Sequence, residues 1–168
     1  MTPPPPPPRL VIDTDTGSDD AVALLMAARA PEATIEAVTT VAGNVPLPLA
    51  TRNALITLEL AGSGGVPVHA GCERPLLRPL ETAQQVHGAD GMSGAPLPEP
   101  VGASTGEHAV DALLRLARER GPELTLVTLG PMTNLAAALI RDRHLLRRFR
   151  HVLHGGRRRR PRQRDRHG

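Results

Sequence analysis

The sequence predicts an α/β protein built on a doubly wound, mainly parallel sheet. Three observations carry that expectation. Short β-branched runs recur along the chain, at Leu10–Ile12, Thr34–Ala42 and Glu123–Leu129. Between them lie longer stretches with helical spacing of apolar residues. Strand and helix alternate from one end to the other, which favours parallel pairing with crossover helices. Ligands of such sheets gather outside the carboxyl ends of the strands.

Taken in order, residues 1–8 contain six consecutive prolines and are expected to form a disordered, extended lead outside the fold. A first strand spans Arg9 to Asp13. It is followed at 13–20 by DTDTGSDD, four carboxylates (Asp13, Asp15, Asp19, Asp20) on one strand-to-helix turn. So much negative charge in one turn calls for a neutralising partner, and a hard cation with six to eight oxygen ligands is the simplest one. The helix beginning near Asp19 adds only a partial positive charge. Residues 21–30 continue that helix.

Thr34 to Ala42 reads as the second strand, ending at Gly43-Asn44. Residues 47–62 place Leu55, Leu58 and Ala61 on one helical face, with Gly62 as the C-terminal stop. Val66 to His69 is a short third strand. From Gly71 to Gly106 no period persists, and a connection of that length is expected to be a lid or a disordered segment. Within it, residues 87–91 (HGADG) form a polar cluster able to close over a site. Ser104 and Glu107 have the spacing of a capping box ahead of residues 108–120, whose apolar stripe is Val110, Leu113, Leu114 and Ala117. Gly121-Pro122 ends that helix, Glu123 to Leu129 forms the fourth strand, and Gly130-Pro131 turns the chain. Thr133 to Ile140 begins another helix, and Phe149 to Leu153 is the fifth strand.

Composition narrows the class further. One aromatic residue, Phe149, leaves a core of Leu, Val, Ile, Ala and Met. The formal charge of +3 is unevenly spread: residues 157–168 hold seven Arg and one Asp, while the rest carries thirteen Arg against sixteen acids. A lone Cys72 excludes an internal disulfide framework, fits a reducing compartment and reads as a small buried hydrophobe. No apolar run reaches the ~18 residues a membrane span needs, and no signal-peptide h-region is visible. A cytoplasmic location is expected.

The motifs VIDTDTGSDDAVAL (11–24), VAGNV (41–45), VPVHAGCERPL (66–76), HGADGM (87–92) and LVTLGPMTNLA (126–136) together resemble the inosine-uridine preferring nucleoside hydrolases, in order and at similar spacings. The resemblance implies Ca²⁺-assisted hydrolysis of the N-glycosidic bond of ribonucleosides. By motif, it makes Asp15 a calcium ligand and the general base, and Asp20 a second carboxylate ligand. Leu129 would supply a backbone carbonyl to calcium. Asp19 would bind the ribose 2′-hydroxyl, Asn44 would orient the catalytic carboxylate and ribose, and His87 would approach the substrate from its loop. Asp13 is kept out of the metal shell and is expected to hydrogen-bond the turn backbone. Relatives of this kind are commonly homo-oligomers.

The chain also departs from the family pattern. The family carries, further on, a Glu and an Asn for the ribose 5′- and 3′-hydroxyls and a late His-Asp pair, none of which has a counterpart in these 168 residues. His154 stands where the family usually has Met. The resemblance stops abruptly at Gly156, so residues 9–156 are read as the N-terminal part of a hydrolase domain. The Arg-rich 157–168 are read as a disordered tail left by a frameshift or premature end in a GC-rich coding sequence. A truncated member of this kind is expected to have little or no turnover. The alternative is a non-catalytic protein whose tail binds RNA or another polyanion. A phosphatase with a DxD nucleophile leaves Asp19, Asp20 and the LGPMTN segment unexplained. An EF-hand fails because its sixth and twelfth positions would be Ser18 and Leu24.

Overall fold

A computed structural model of the chain describes residues 6–155. The proposed tail at 157–168 and most of the proline lead lie outside the described residues. Five parallel strands form one sheet in the order β3-β2-β1-β4-β5. They are β1 (Arg9–Thr14), β2 (Thr34–Thr40), β3 (Val68–Ala70), β4 (Leu124–Thr128) and β5 (His151–His154). β1 is central, pairing Asp13 with Thr39 on one side and with Thr128 on the other.

Alternation along β1 explains the two-sided core. Val11 joins a cluster with Leu113, Leu114, Leu126, Leu135, Leu145 and Phe149, while its neighbour Ile12 joins Leu24, Val38, Ala54 and Leu58. Successive side chains of a strand point to opposite faces, so a strand covered on both sides is apolar throughout. The second cluster is closed by α1 (Ser18–Arg29) and α2 (Leu47–Leu60), and the first by α4 (Ala109–Arg120), α5 (Thr133–Arg141) and the short α6 (Leu145–Arg148). The doubly wound fold is therefore as the periodicity predicts. Among the described residues no helix is long and apolar enough to cross a membrane.

Helix ends show where the local reading held and where it failed. Gly62 adopts φ +75°, and Ser63 and Gly62 donate backbone N–H groups to the Leu58 and Glu59 carbonyls. That six-to-one and five-to-two pairing closes α2 as its sequence predicts. The capping box expected at Ser104 does not form. His108 is the N-cap of α4, its Nδ1 accepting from Val110 N–H at 3.2 Å, because Glu107 is drawn instead to the Arg115 guanidinium at 2.7 Å. The apolar stripe of α4 is buried as expected. β5 begins at His151 rather than Phe149, since Leu145–Arg148 coils into α6 and Phe149 packs into the core. The long 71–108 connection is irregular apart from α3 (Gln84–His87).

Candidate active site

The carboxyl ends of β1, β2 and β4 converge where the strand order turns back on itself, between β1 and β4. A cavity of about 850 Å³ opens there. It is lined by Asp15, Asp19, Asp20, Asn44, His87 and Leu129, together with Met132 and His154. All six site residues expected from the sequence thus reach one space.

Asp15 follows β1 directly and is nearly buried. Its Oδ2 accepts the Asn44 backbone N–H at 2.6 Å. Room for this carboxylate depends on two glycines. A Cβ on Gly43 would overlap Asp15 Oδ2, and one on Gly130 would lie 2.8 Å from Asp15 Oδ1. Asp20, in the first turn of α1, is also nearly buried. Its Oδ2 accepts from Gly17 N–H and from the Asn44 side-chain amide, both at 3.0 Å. Asn44 therefore grips both carboxylates, one through its backbone and one through its side chain.

Burial raises the pKa of both acids. For Asp20 desolvation outweighs the hydrogen bond from Gly17, and the carboxyl is pushed up to about 7. Asp15 moves in the same direction, again through desolvation, with the Asn44 hydrogen bond opposing. Two such carboxylates side by side form a site short of positive charge. Leu129 lines the same cavity; its N–H donates to the Asp13 carbonyl at 2.8 Å, and its own carbonyl accepts no hydrogen bond among the described residues. Hard oxygens alone fit a cation such as Ca²⁺ or Mg²⁺ better than a soft metal. Among the described residues no group of three or more His, Cys, Asp or Glu is arranged to hold a metal ion.

Asp19 differs from its neighbours. Its side chain is 77% exposed at the cavity rim, with Oδ1 3.8 Å from His87 Nδ1. The His87 ring is itself held by Ser18 Oγ, 3.0 Å from Nδ1.

Asp13 corrects one expectation. Its side chain bonds across the sheet instead of to the turn: Oδ1 accepts from Thr39 Oγ1 at 2.5 Å and from Asn134 Nδ2 at 2.8 Å. The residue is fully buried, Oδ2 has no partner among the described residues, and desolvation raises its pKa to about 6. Its position inside β1 explains the difference, because its side chain points into the layer between sheet and helices, away from the turn backbone. Cys72 is half-buried against the first cluster, as a small apolar group, and burial raises its thiol pKa.

Residues unassigned from the sequence also meet here. Asn53, fully buried on α2, donates to the carbonyls of Thr16 at 3.1 Å and Asp90 at 2.9 Å, tying the 88–91 loop to the acidic turn. His154 Nδ1 lies 2.8 Å from Thr128 Oγ1 at the end of β4. No local pattern announces these contacts, since each joins segments far apart in the chain.

The sequence profile of the inosine-uridine preferring nucleoside hydrolases matches residues 10–161. An uncharacterized protein of Schizosaccharomyces pombe is 45% identical over 146 residues, 86% of this chain and 47% of its own length. The inosine-uridine preferring nucleoside hydrolase of Crithidia fasciculata is 40% identical over 147 residues, with the same coverage of 86% and 47%. Among solved structures, a plant nucleoside hydrolase superposes with a TM-score of 0.83 at 39% identity, covering 90% of this chain and 49% of that one. The chain spans about half the length of the curated relatives it matches.

Proposed function

Because the chain belongs to the inosine-uridine preferring nucleoside hydrolase family, we propose that its acidic turn forms one wall of a site that hydrolyses ribonucleosides to free base and ribose. The observation that carries this reading is the Asp15–Asn44–Asp20 arrangement, two desolvated carboxylates gripped by one residue at the mouth of the cavity. In this reading Asp15, Asp20 and the Leu129 carbonyl hold the cation. Bound there, Ca²⁺ would supply a polarised water of lowered pKa.

The chain's own groups do the rest. Asp15 takes the proton from the attacking water, since its carboxylate is fixed by the Asn44 N–H and faces the cavity. Exposed Asp19 accepts from a ribose hydroxyl, and the surrounding carboxylates favour the positive charge that develops on the sugar ring as the glycosidic bond breaks. Asn44 holds Asp15 and Asp20 side by side, and His87 meets the substrate from the loop side.

The test is calorimetric titration of Ca²⁺ into the 168-residue protein, alongside ribose release from inosine and uridine. Three protein ligands, Asp15, Asp20 and the Leu129 carbonyl, against the six to eight oxygens that Ca²⁺ takes make weak binding and little or no turnover the expected result. Binding should disappear in Asp15→Asn and Asp20→Asn. Unchanged binding in both variants, or none in the parent protein, would overturn the assignment.

A further inference from the structure

We propose that Ser18 is a positioning residue, acting through His87, which fixes the imidazole on the cavity wall so that its Nε2 is presented to the nucleoside. Ser18 opens α1, yet its hydroxyl makes no cap there. It reaches instead across 69 positions of sequence to His87 Nδ1, at 3.0 Å. The ring's other constraint is Gly17, where an added Cβ would lie 3.1 Å from Nδ1 and 3.2 Å from Cγ. The ring thus lies close against Gly17, where a larger residue would crowd it, and the Ser18 hydroxyl restrains rotation about its Cβ–Cγ bond. His87 lines the cavity, and its Nε2 makes no hydrogen bond among the described residues.

The segment that carries the ring cannot orient it alone. α3 is a single turn, Gln84–His87, too short to be stable by itself. It is anchored at its start by Ala83 N–H on the Asn44 carbonyl, 2.8 Å, and beyond its end by Ser93 N–H on the His87 carbonyl, 2.7 Å. Those bonds fix backbone and leave the side-chain torsions free. Among the described residues Ser18 supplies the one hydrogen bond to the imidazole itself; Asp19 Oδ1 at 3.8 Å is beyond hydrogen-bonding range. With Nδ1 engaged by the hydroxyl, the ring is held in one orientation and Nε2 is left for a ligand.

This inference rests on the nucleoside reading for the ligand but not for the contact. The test compares the parent protein with Ser18→Ala and Ser18→Thr, using ¹⁵N shifts of the His87 ring and inosine affinity measured with saturating Ca²⁺. Thermal unfolding confirms that each variant folds. Ser18→Ala is expected to shift the His87 ring signals toward those of a free imidazole and to weaken inosine binding by about five- to tenfold, the worth of one hydrogen bond. Ca²⁺ affinity should be unchanged, and Ser18→Thr should restore both properties. In a His87→Ala background the Ser18→Ala change should have no further effect on inosine, which a merely structural serine would not show. Ring signals unmoved by Ser18→Ala, or a full effect in the His87→Ala background, would overturn the proposal. If the parent protein binds no nucleoside, the functional reading falls, while the ring signals still decide whether Ser18 holds His87.

Discussion

Asn134 donates its side-chain amide to the Asp13 carboxylate, 2.8 Å away and 121 positions distant in sequence. The same amide nitrogen reaches the Thr40 carbonyl at 2.9 Å, and Asn134 Oδ1 accepts from Cys72 N–H at 2.8 Å. One fully buried residue at the start of α5 thus joins β1, β2 and the segment after β3. Truncating it removes one of the two donors to Asp13 Oδ1, leaving Thr39 Oγ1 alone there, and takes away the side-chain partner of the Thr40 carbonyl and of the Cys72 N–H. Asn134→Ala should lower the unfolding free energy by about 2–4 kcal/mol, read from denaturant titration. A loss below about 0.5 kcal/mol would mean that water replaces the amide.

The glycines around Asp15 predict a second effect, on binding. Alanine at Gly43 would overlap Asp15 Oδ2 and place its Cβ 2.7 Å from the Pro131 ring. The carboxylate must then move off the Asn44 N–H. Gly43→Ala is expected to weaken Ca²⁺ binding by at least about tenfold, an energy of ~1.4 kcal/mol. Gly65→Ala, whose Cβ meets nothing within 4 Å, should bind as the parent does.

Protonation of the site predicts a third. A carboxyl that must ligate a cation has to lose its proton first. With Asp20 raised to about 7 and Asp15 raised as well, both by desolvation, much of the site is protonated at pH 6. Ca²⁺ affinity should rise between about pH 6 and pH 8, with protons released on binding. Calorimetry in buffers of different ionisation enthalpy reads that release directly. An affinity that is flat across this range would show that the carboxylates are already ionised.

His69 gives a pH effect of a different kind, on folding. The ring is buried at β3, Nδ1 bonds Thr105 Oγ1 at 2.7 Å, and Nε2 has no partner among the described residues. Desolvation lowers its pKa from 6.5, with Glu107 opposing in part. The folded protein therefore binds this proton less readily than the unfolded chain. Its contribution is present above about pH 6.5 and is lost as the pH falls below that value. Asp13 and Asp20 act in the opposite sense: with folded pKa values near 6 and 7 against an ordinary 3.8, they stabilise at low pH and that contribution is lost as the pH rises through their folded values. Subtracting the stability curve of His69→Gln from that of the parent isolates the histidine. The difference should shrink from pH 7 to pH 5, and a constant difference would contradict the burial argument.

Much of this molecule was legible in its sequence, for identifiable reasons. Strand-helix alternation is a local, periodic signal, so β1, β2, α1, α2, α4 and β4 fell within a few residues of their expected bounds. The stop at Gly62 was readable because only a residue free of Cβ adopts φ +75° without strain. α6 was not readable, since four residues of Leu and Arg carry no period. The capping box at Ser104 failed because a tertiary ion pair with Arg115 outcompeted it for Glu107.

The sequence by itself determined the doubly wound sheet, the placing of four acids at the end of its central strand, and the motif order that marks the family. Only the tertiary structure decided how those acids divide. Asp13 turns into the interior toward Asn134 and Thr39, Asp15 and Asp20 meet around Asn44, and Asp19 stays in solvent within reach of a histidine that Ser18 holds. The reason is physical: a carboxylate's burial and partners are set by side chains that arrive from distant strands and loops, and no spacing along the chain encodes which of them will be near.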